Sequence, residues 1–170
     1  MYDIPTPSLA GQVSAAEWQT RVELAAAYRL MVMHGWDDLI HTHISARIPD
    51  TEYLLINAFG LAFEEVTASN LVKIDIQGNV VDPDSPFSIN PAGFTIHSAV
   101  HIARHADQCA FHVHHADAIA VASLQDGLRP YSQYSAFALA SMAYHDYEGL
   151  AVEEDEIQRL QNDLGDANFM

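Results

Sequence analysis

The sequence predicts an α/β domain in which helices flank a sheet with substantial antiparallel pairing. Three observations lead to this fold class: a long helical segment near the N-terminus, a series of short apolar segments joined by tight turns, and a second helical segment that leads into an apolar strand. A hydrophobic fraction of 49% over 170 residues is enough for a core. We therefore expect one domain over residues 1–170, with residues 1–13 as an irregular arm.

The first helix is predicted over residues 14–34 from signals at both of its ends. Ser14 and Glu17 have the spacing of a capping box, and Gly35 follows the last helical residue, where a left-handed conformation ends many helices. The apolar side is expected to consist of Trp18, Val22, Ala25, Leu30 and Met33.

Strands are predicted over residues 39–48, 53–56 and 72–76. Residues 77–79, Gln-Gly-Asn, are typical of a hairpin turn. In the first of these strands, His41, His43 and Ser45 share one face because side chains two apart point to the same side. A ligand-facing role for this face and an ordinary half-exposed strand both remain open.

A second helix is predicted after residues 90–93, reaching about residue 104. It carries His97, His101 and His105, which lie near one face because they recur every four residues. We expect this face to be solvated, with His97 as the histidine that turns inward.

The strand that follows, residues 109–114, carries the most informative pair of histidines. His112 and His114 are two apart, so both imidazoles point to one side of a strand and can bind one metal ion. His115 is expected on the opposite face. The alternative interpretation is that these are ordinary polar residues at a strand end.

Two helices and a polar turn complete the predicted elements. Residues 117–124 form a helix that Asp117 would cap, and residues 153–164 form an amphipathic helix. Its inward residues are expected to be Ile157, Leu160 and Leu164. Between the two helices, residues 144–149 form a polar, aromatic turn in which His145 lies beside Asp146 and is a candidate general base, with loop packing as the alternative.

Composition limits the classes of function. The formal charge of −16 and a pI of about 4.6 give a surface that repels phosphate backbones, so we expect no nucleic-acid partner. Cys109 is the single cysteine, which excludes a thiolate zinc cluster. The N-terminus has no secretion-signal pattern and no apolar segment reaches membrane-spanning length, so we expect a cytoplasmic protein without a membrane partner.

Several stretches, taken in order, resemble the class II aldolase/adducin head domain family, and in particular its adducin-like bacterial branch. The matching stretches are THISAR at 42–47, INAFGLAFEEVTASNLVKIDIQGNVV at 56–81, INPAGFTIHSAVHIARHAD at 89–107, FHVHHADAIAVAS at 111–123 and YHDYEG at 144–149. The resemblance implies a three-layer α/β/α sandwich around a largely antiparallel sheet, assembled as a homotetramer.

The resemblance also implies a chemistry. Enzymes of this family are metal-dependent lyases, and their His-x-His strand supplies two metal ligands, which here are His112 and His114. The implied cofactor is a divalent metal ion, zinc first, with iron or manganese as alternatives. Ser45 matches the family's Gly-Asn-x-Ser turn, and the backbone at Gly60 and Gly93 completes the implied substrate-binding set.

Three departures from the aldolase pattern matter. Gly93 occupies the position of the acidic catalytic residue. Pro91 and Ala92 occupy the positions of two phosphate-binding serines. The family's third metal histidine lies in a strand after the last helix, so we expect this sequence, which runs to Met170, either to be truncated or to lack that ligand.

These observations give one leading hypothesis and two alternatives. The leading hypothesis is a metal-dependent lyase-like protein that acts on a small, non-phosphorylated hydroxy-carbonyl substrate by Lewis-acid stabilisation of an enediolate. Proton transfer would then belong to His145, Tyr144 or His43. The alternatives are a non-catalytic adducin-like oligomerisation or binding domain, and an iron-dependent oxygenase or decarboxylase of the same fold.

Overall fold

A computed structural model describes residues 6–104, 109–149, 151 and 154–170, with the side chain of Glu154 excluded. In the described residues a four-stranded sheet has the order β3-β2-β1-β4, and every neighbouring pair is antiparallel. The elements in chain order are α1 (Ala15–His34), β1 (His43–Arg47), β2 (Leu54–Ile56), a 3-10 helix (Phe63–Glu65), β3 (Val72–Ile74), α2 (Pro91–Ala103), β4 (Cys109–His112), α3 (Ala116–Ala122), α4 (Gln133–Leu139) and α5 (Glu154–Leu164).

The central strand β1 separates the two sides of the fold by simple alternation. Ile44 and Ala46 face α1, where they pack with Leu24, Tyr28 and Met31 in an apolar core. The polar residues that alternate with them, His43, Ser45 and Arg47, face the opposite side and contact α2. Helix α5 packs on α2 in turn. The predicted α/β/α layering around an antiparallel sheet is therefore confirmed.

The ends of α1 are as predicted, but its predicted apolar side is wrong. Ser14 accepts a hydrogen bond from the Glu17 amide at 3.1 Å, and Gly35 ends the helix with φ of 65°. The buried residues are instead Glu17, Arg21, Leu24, Tyr28 and Met31, whereas Val22, Leu30 and Met33 are exposed. Polar residues occupy this face because they are paired there.

The buried charged residues of α1 form an ion network that connects the helix to β3. Glu17 binds Arg21 at 2.9 Å and Lys73 at 2.8 Å, and Arg21 donates to the Leu71 carbonyl at 2.8 Å. Buried charges are tolerated only when they are paired in this way. The network also explains why a hydrophobic pattern alone gave the wrong face.

Other element boundaries differ from the predictions for local reasons. Strand β1 begins only at His43, since the preceding residues form a turn in which the Asp38 amide donates to Thr42 Oγ1 at 3.1 Å. His115, not Asp117, is the N-cap residue of α3. In α5, Leu160 and Leu164 are buried as predicted, and Ile157 is half-buried.

The Tyr28 hydroxyl joins α1 to the sheet where β2 ends. It donates to the Ile44 carbonyl and accepts from the amides of Ile44 at 2.9 Å and Asn57 at 3.1 Å. The Tyr28 hydroxyl thus bridges backbone groups of Ile44 and Asn57, and it fixes the position of α1 on the sheet. No described helix is long and apolar enough to cross a lipid bilayer.

Candidate metal centre

Two imidazole nitrogens converge at the end of β4. His112 is the last residue of the strand and His114 precedes α3, and their Nε2 atoms lie 3.1 Å apart. Two histidines on a tetrahedral zinc, each about 2.0–2.1 Å from the metal, would have nitrogens about 3.3 Å apart. The pair therefore meets the donor type and the spacing of two ligands to one metal, although His114 lies just beyond the strand rather than within it.

Asp38 orients one of these rings. Its Oδ2 accepts from His114 Nδ1 at 2.8 Å, which leaves the lone pair of a neutral His114 on Nε2. A carboxylate behind a ligating histidine is a recurrent feature of metal sites, where it fixes the tautomer and raises ligand basicity. Sequence reasoning missed Asp38, because this partner lies 76 residues away in the chain and within the loop before β1.

Further imidazoles line the same region. His43 pairs with His112 across the β1–β4 ladder, and their rings stack with centroids 4.8 Å apart. His41 stacks on His114 at 6.3 Å. His115 lies beyond the end of β4, and its ring contacts Trp36 edge-on. Of the two alternatives for the His41–Ser45 segment, the half-exposed strand is wrong for His43, which is buried and lies against a candidate metal ligand.

Behind His43, a chain of buried polar side chains runs between β1 and α2. His43 Nδ1 lies 2.7 Å from His97 Nε2, and Ser45 Oγ lies 2.5 Å from His97 Nδ1 and 2.8 Å from His101 Nε2. His97 faces inward as predicted. The predicted solvated face is wrong for His101, which is fully buried because Ser45 bonds it; His105 lies outside the described residues.

The three residues predicted to bind substrate occupy different environments. Ser45 is 0% exposed and its hydroxyl is hydrogen-bonded to His97 and His101, so it supports the site from within the core. Gly93 lies directly against His43: a Cβ built there would be 2.7 Å from Cδ2 and 2.8 Å from Nε2 of the imidazole. Gly60 lies in a turn with φ of 91°, and a Cβ there would meet open space.

Tyr144 and His145 have other partners. The Tyr144 hydroxyl accepts from the Leu128 amide at 2.8 Å, and His145 Nδ1 bonds Asp163 Oδ2 at 2.7 Å. Within the described part of the chain, neither forms a hydrogen bond or ring contact with His112 or His114. Of the three predicted proton-transfer residues, the structure brings only His43 to the candidate metal ligands.

Burial keeps three of the clustered imidazoles neutral. Burial first, and then repulsion from His112 and His114, lowers the pKa of His43 to about 3. Burial and the His114 charge lower the pKa of His112 to about 4, and burial lowers the pKa of His97 well below its usual value. A neutral imidazole is the form that binds a metal ion, so His112 is in the metal-binding protonation state at neutral pH.

Comparison with known proteins identifies the class to which this fold and site belong. The family described as Class II Aldolase and Adducin N-terminal domain matches residues 22–170, and the chain belongs to this family. An aldolase class 2 protein of Pseudomonas aeruginosa is 60% identical over 159 residues, which are 94% of this chain and 61% of that protein. Mouse alpha-adducin is 44% identical over 167 residues, 95% of this chain and 23% of the adducin.

Solved structures give the same class. An aldolase II superfamily protein from Pseudomonas syringae superposes with a TM-score of 0.89 at 52% identity, covering 95% of this chain and 64% of that one. The L-fuculose 1-phosphate aldolase of Glaciozyma antarctica gives 0.76 at 26% identity, covering 98% and 63%. The fold is thus that of class II aldolases, and the chain spans about three fifths of the length of its bacterial relative.

The contact between Gly93 and His43 predicts that Gly93→Ala changes stability in the direction opposite to that usual for glycine to alanine in a helix. Glycine to alanine within a helix normally stabilises by about 0.5–1 kcal/mol, but Gly93→Ala should destabilise by about 1–3 kcal/mol, because the new methyl group displaces the His43 ring. In a His43→Ala background the same substitution should become neutral or stabilising. Urea unfolding of the four proteins in the cycle measures this; a stabilised Gly93→Ala single variant would contradict the packing.

The lowered pKa values predict a pH dependence of the chelator-treated protein. Unfolded histidines titrate near 6.5, whereas His43, His97 and His112 stay neutral when folded. Between pH 6.5 and 5 the unfolded state therefore binds more protons, so the free energy of unfolding should fall as pH falls, by up to about 1.4 kcal/mol per pH unit for each imidazole. Urea unfolding at several pH values should show this slope, and His112→Asn should reduce it. A flat profile would count against neutral buried imidazoles.

Proposed function

We propose that this protein is a metal-dependent, lyase-like enzyme that acts on a small, non-phosphorylated hydroxy-carbonyl compound. The observation that carries the proposal is the convergence of His112 Nε2 and His114 Nε2 at 3.1 Å, with Asp38 behind His114. Membership of the class II aldolase and adducin family supports it.

His112 and His114 would hold the metal ion, with zinc as the first choice and iron or manganese as alternatives. When bound, the metal would supply a Lewis acid that stabilises negative charge developing on the substrate's carbonyl oxygen. A typical catalytic zinc has three protein ligands, of which this cluster would supply two. The activity of the whole protein is part of the proposal, since the chain spans 61% of its Pseudomonas aeruginosa relative.

His43 is the residue that we propose for proton transfer. Its Nδ1 is held by His97 at 2.7 Å, while the Cδ2–Nε2 edge of the ring faces Gly93. Because Gly93 has no side chain, the His43 ring can lie directly against it; any larger residue at position 93 would displace the ring. With Nδ1 held by His97, Nε2 is the atom that would accept a proton from the substrate, and it would act as a weak base because burial lowers the pKa of the ring to about 3. Tyr144 and His145, which have partners elsewhere, are less suited to this role.

The N-terminus of α2 supports a substrate without phosphate. Backbone amides at a helix N-terminus commonly bind phosphate groups. Here Pro91 has no amide hydrogen and the Ala92 amide donates to Asn90 Oδ1 at 3.1 Å, so neither of the first two helical residues offers an amide to a phosphate. The formal charge of −16 also disfavours an anionic substrate.

A second candidate function comes from the similarity to adducin. The 44% identity to mouse alpha-adducin over 95% of this chain favours a non-catalytic oligomerisation or binding domain. Under either function we propose a cytoplasmic homotetramer. The two functions differ in whether His112 and His114 are needed for chemistry.

Proton exchange distinguishes the two functions. Zinc-loaded protein in D₂O should exchange the carbon-bound hydrogens of dihydroxyacetone, followed by proton NMR, at a rate well above that of zinc alone. His112→Ala should lose at least about tenfold in this rate, because it removes a ligand of the Lewis acid. His34→Ala, which removes an exposed imidazole from α1, is the matched control and should retain the rate.

Two outcomes would contradict the enzymatic proposal. The first is no exchange by the zinc-, iron- or manganese-loaded protein, which favours the adducin-like function. The second is equal exchange by the wild type and His112→Ala, both shown to be folded by circular dichroism. Preference for dihydroxyacetone phosphate over dihydroxyacetone would contradict the proposed substrate class.

A further inference from the structure

We propose that His145, Glu148 and Glu156 form a second divalent metal site, separate from His112 and His114. One ligand atom from each of the three residues lies within 4.8 Å of the other two. Glu156 belongs to α5, whereas His145 and Glu148 belong to the turn that precedes it. A metal ion here would fix this turn to α5. The inference does not depend on the proposed function.

The tautomer of His145 is set for metal binding. Asp163 Oδ2 accepts from His145 Nδ1 at 2.7 Å, so a neutral ring carries its lone pair on Nε2. This is the arrangement that Asp38 imposes on His114 in the first site, with a carboxylate fixing the outer nitrogen. The inner nitrogen of His145 points toward the two glutamates.

That inner nitrogen is a buried polar atom. His145 Nε2 has no hydrogen-bond partner among the described residues, and Oε1 of Glu148 and Oε1 of Glu156 each lie 3.9 Å from it. A lone pair facing two carboxylate oxygens is unfavourable unless a cation lies between them. Ligand bonds of about 2.0–2.2 Å require nitrogen–oxygen separations near 3.4 Å, so a contraction of about half an ångström would suffice.

Glu156 adds an independent indication. Its side chain is 7% exposed, and the described residues give its carboxylate no hydrogen bond, only the 3.9 Å approach to His145. A buried carboxylate is costly unless it is paired or coordinates a metal. Its partner in the site, Glu148, is oriented by Arg159, which donates to both carboxylate oxygens.

The local charge also favours a cation. Arg159 pairs with Glu148 and with Asp155, and among the described residues His145 is the one basic residue within ion-pair distance of Glu156 and Asp163. An imidazole with two carboxylates suits zinc or manganese better than calcium or magnesium, whose ligands are oxygen atoms. The competing arrangement is a protonated His145 that serves three carboxylates without a metal.

Zinc binding to chelator-treated protein tests the site, by equilibrium dialysis with elemental analysis. His112→Ala, which disables the first site, should still bind about one equivalent of zinc, and adding Glu156→Gln should remove it. Asp163→Asn should weaken this equivalent by about 10–100-fold, as expected for a residue behind a ligand. Glu64→Gln, which changes an exposed glutamate, is the matched control and should bind like its parent.

The ¹⁵N chemical shifts of the His145 ring test the second site even if the Glu156→Gln variant fails to fold. In ¹⁵N NMR of the folded His112→Ala protein, zinc should shift Nε2 of His145 while Nδ1 stays protonated. A protonated Nε2 that zinc does not change would overturn the proposal in favour of the ion-pair arrangement. Equal zinc binding by His112→Ala with and without Glu156→Gln would overturn it as well. Wild-type protein that binds zinc at His145 and shows none at His112 would contradict the first site and leave this one standing.

Discussion

The buried polar face of β1 determines how α2 is held against the sheet. His43, Ser45 and Arg47 alternate with apolar residues, so the sheet presents polar groups to α2 with almost no access to water. Each group must find a partner inside the protein, since an unsatisfied buried polar atom costs about 1–3 kcal/mol. From α2, His97 and His101 supply partners for His43, for Ser45 and for one nitrogen of Arg47, whereas Nε and Nη1 of Arg47 have no hydrogen-bond partner among the described residues. The helix is therefore held on the sheet by directional bonds as well as by apolar packing.

This constraint fixes the geometry of the candidate metal centre. His43 is immobilised by His97 on one nitrogen and by stacking on His112, which in turn lies next to His114. Gly93 is the complement of this arrangement, because the imidazole occupies the space that a side chain there would need. The glycine at this position, where the resemblance to aldolases implies an acidic residue, is thus explained by packing against the His43 ring.

The sequence predicted those features whose causes are local. The caps of α1 and the shared direction of His112 and His114 depend on spacings of a few residues, and the structure bears them out. It did not predict the role of Asp38 or the burial of Glu17 and Arg21, because their partners lie far along the chain and polar residues are usually assigned to the surface. Periodicity identifies a face, and only tertiary pairing decides whether that face is buried.

We propose that His112 and His114 bind one metal ion. Anomalous X-ray scattering from crystals of the zinc-loaded protein, collected on both sides of the zinc absorption edge, locates the ion. We expect a zinc peak about 2.0–2.1 Å from Nε2 of both residues, with Asp38 retained on His114. Crystals soaked in excess zinc that show no peak there, with the two imidazoles still bonded to each other, would contradict it.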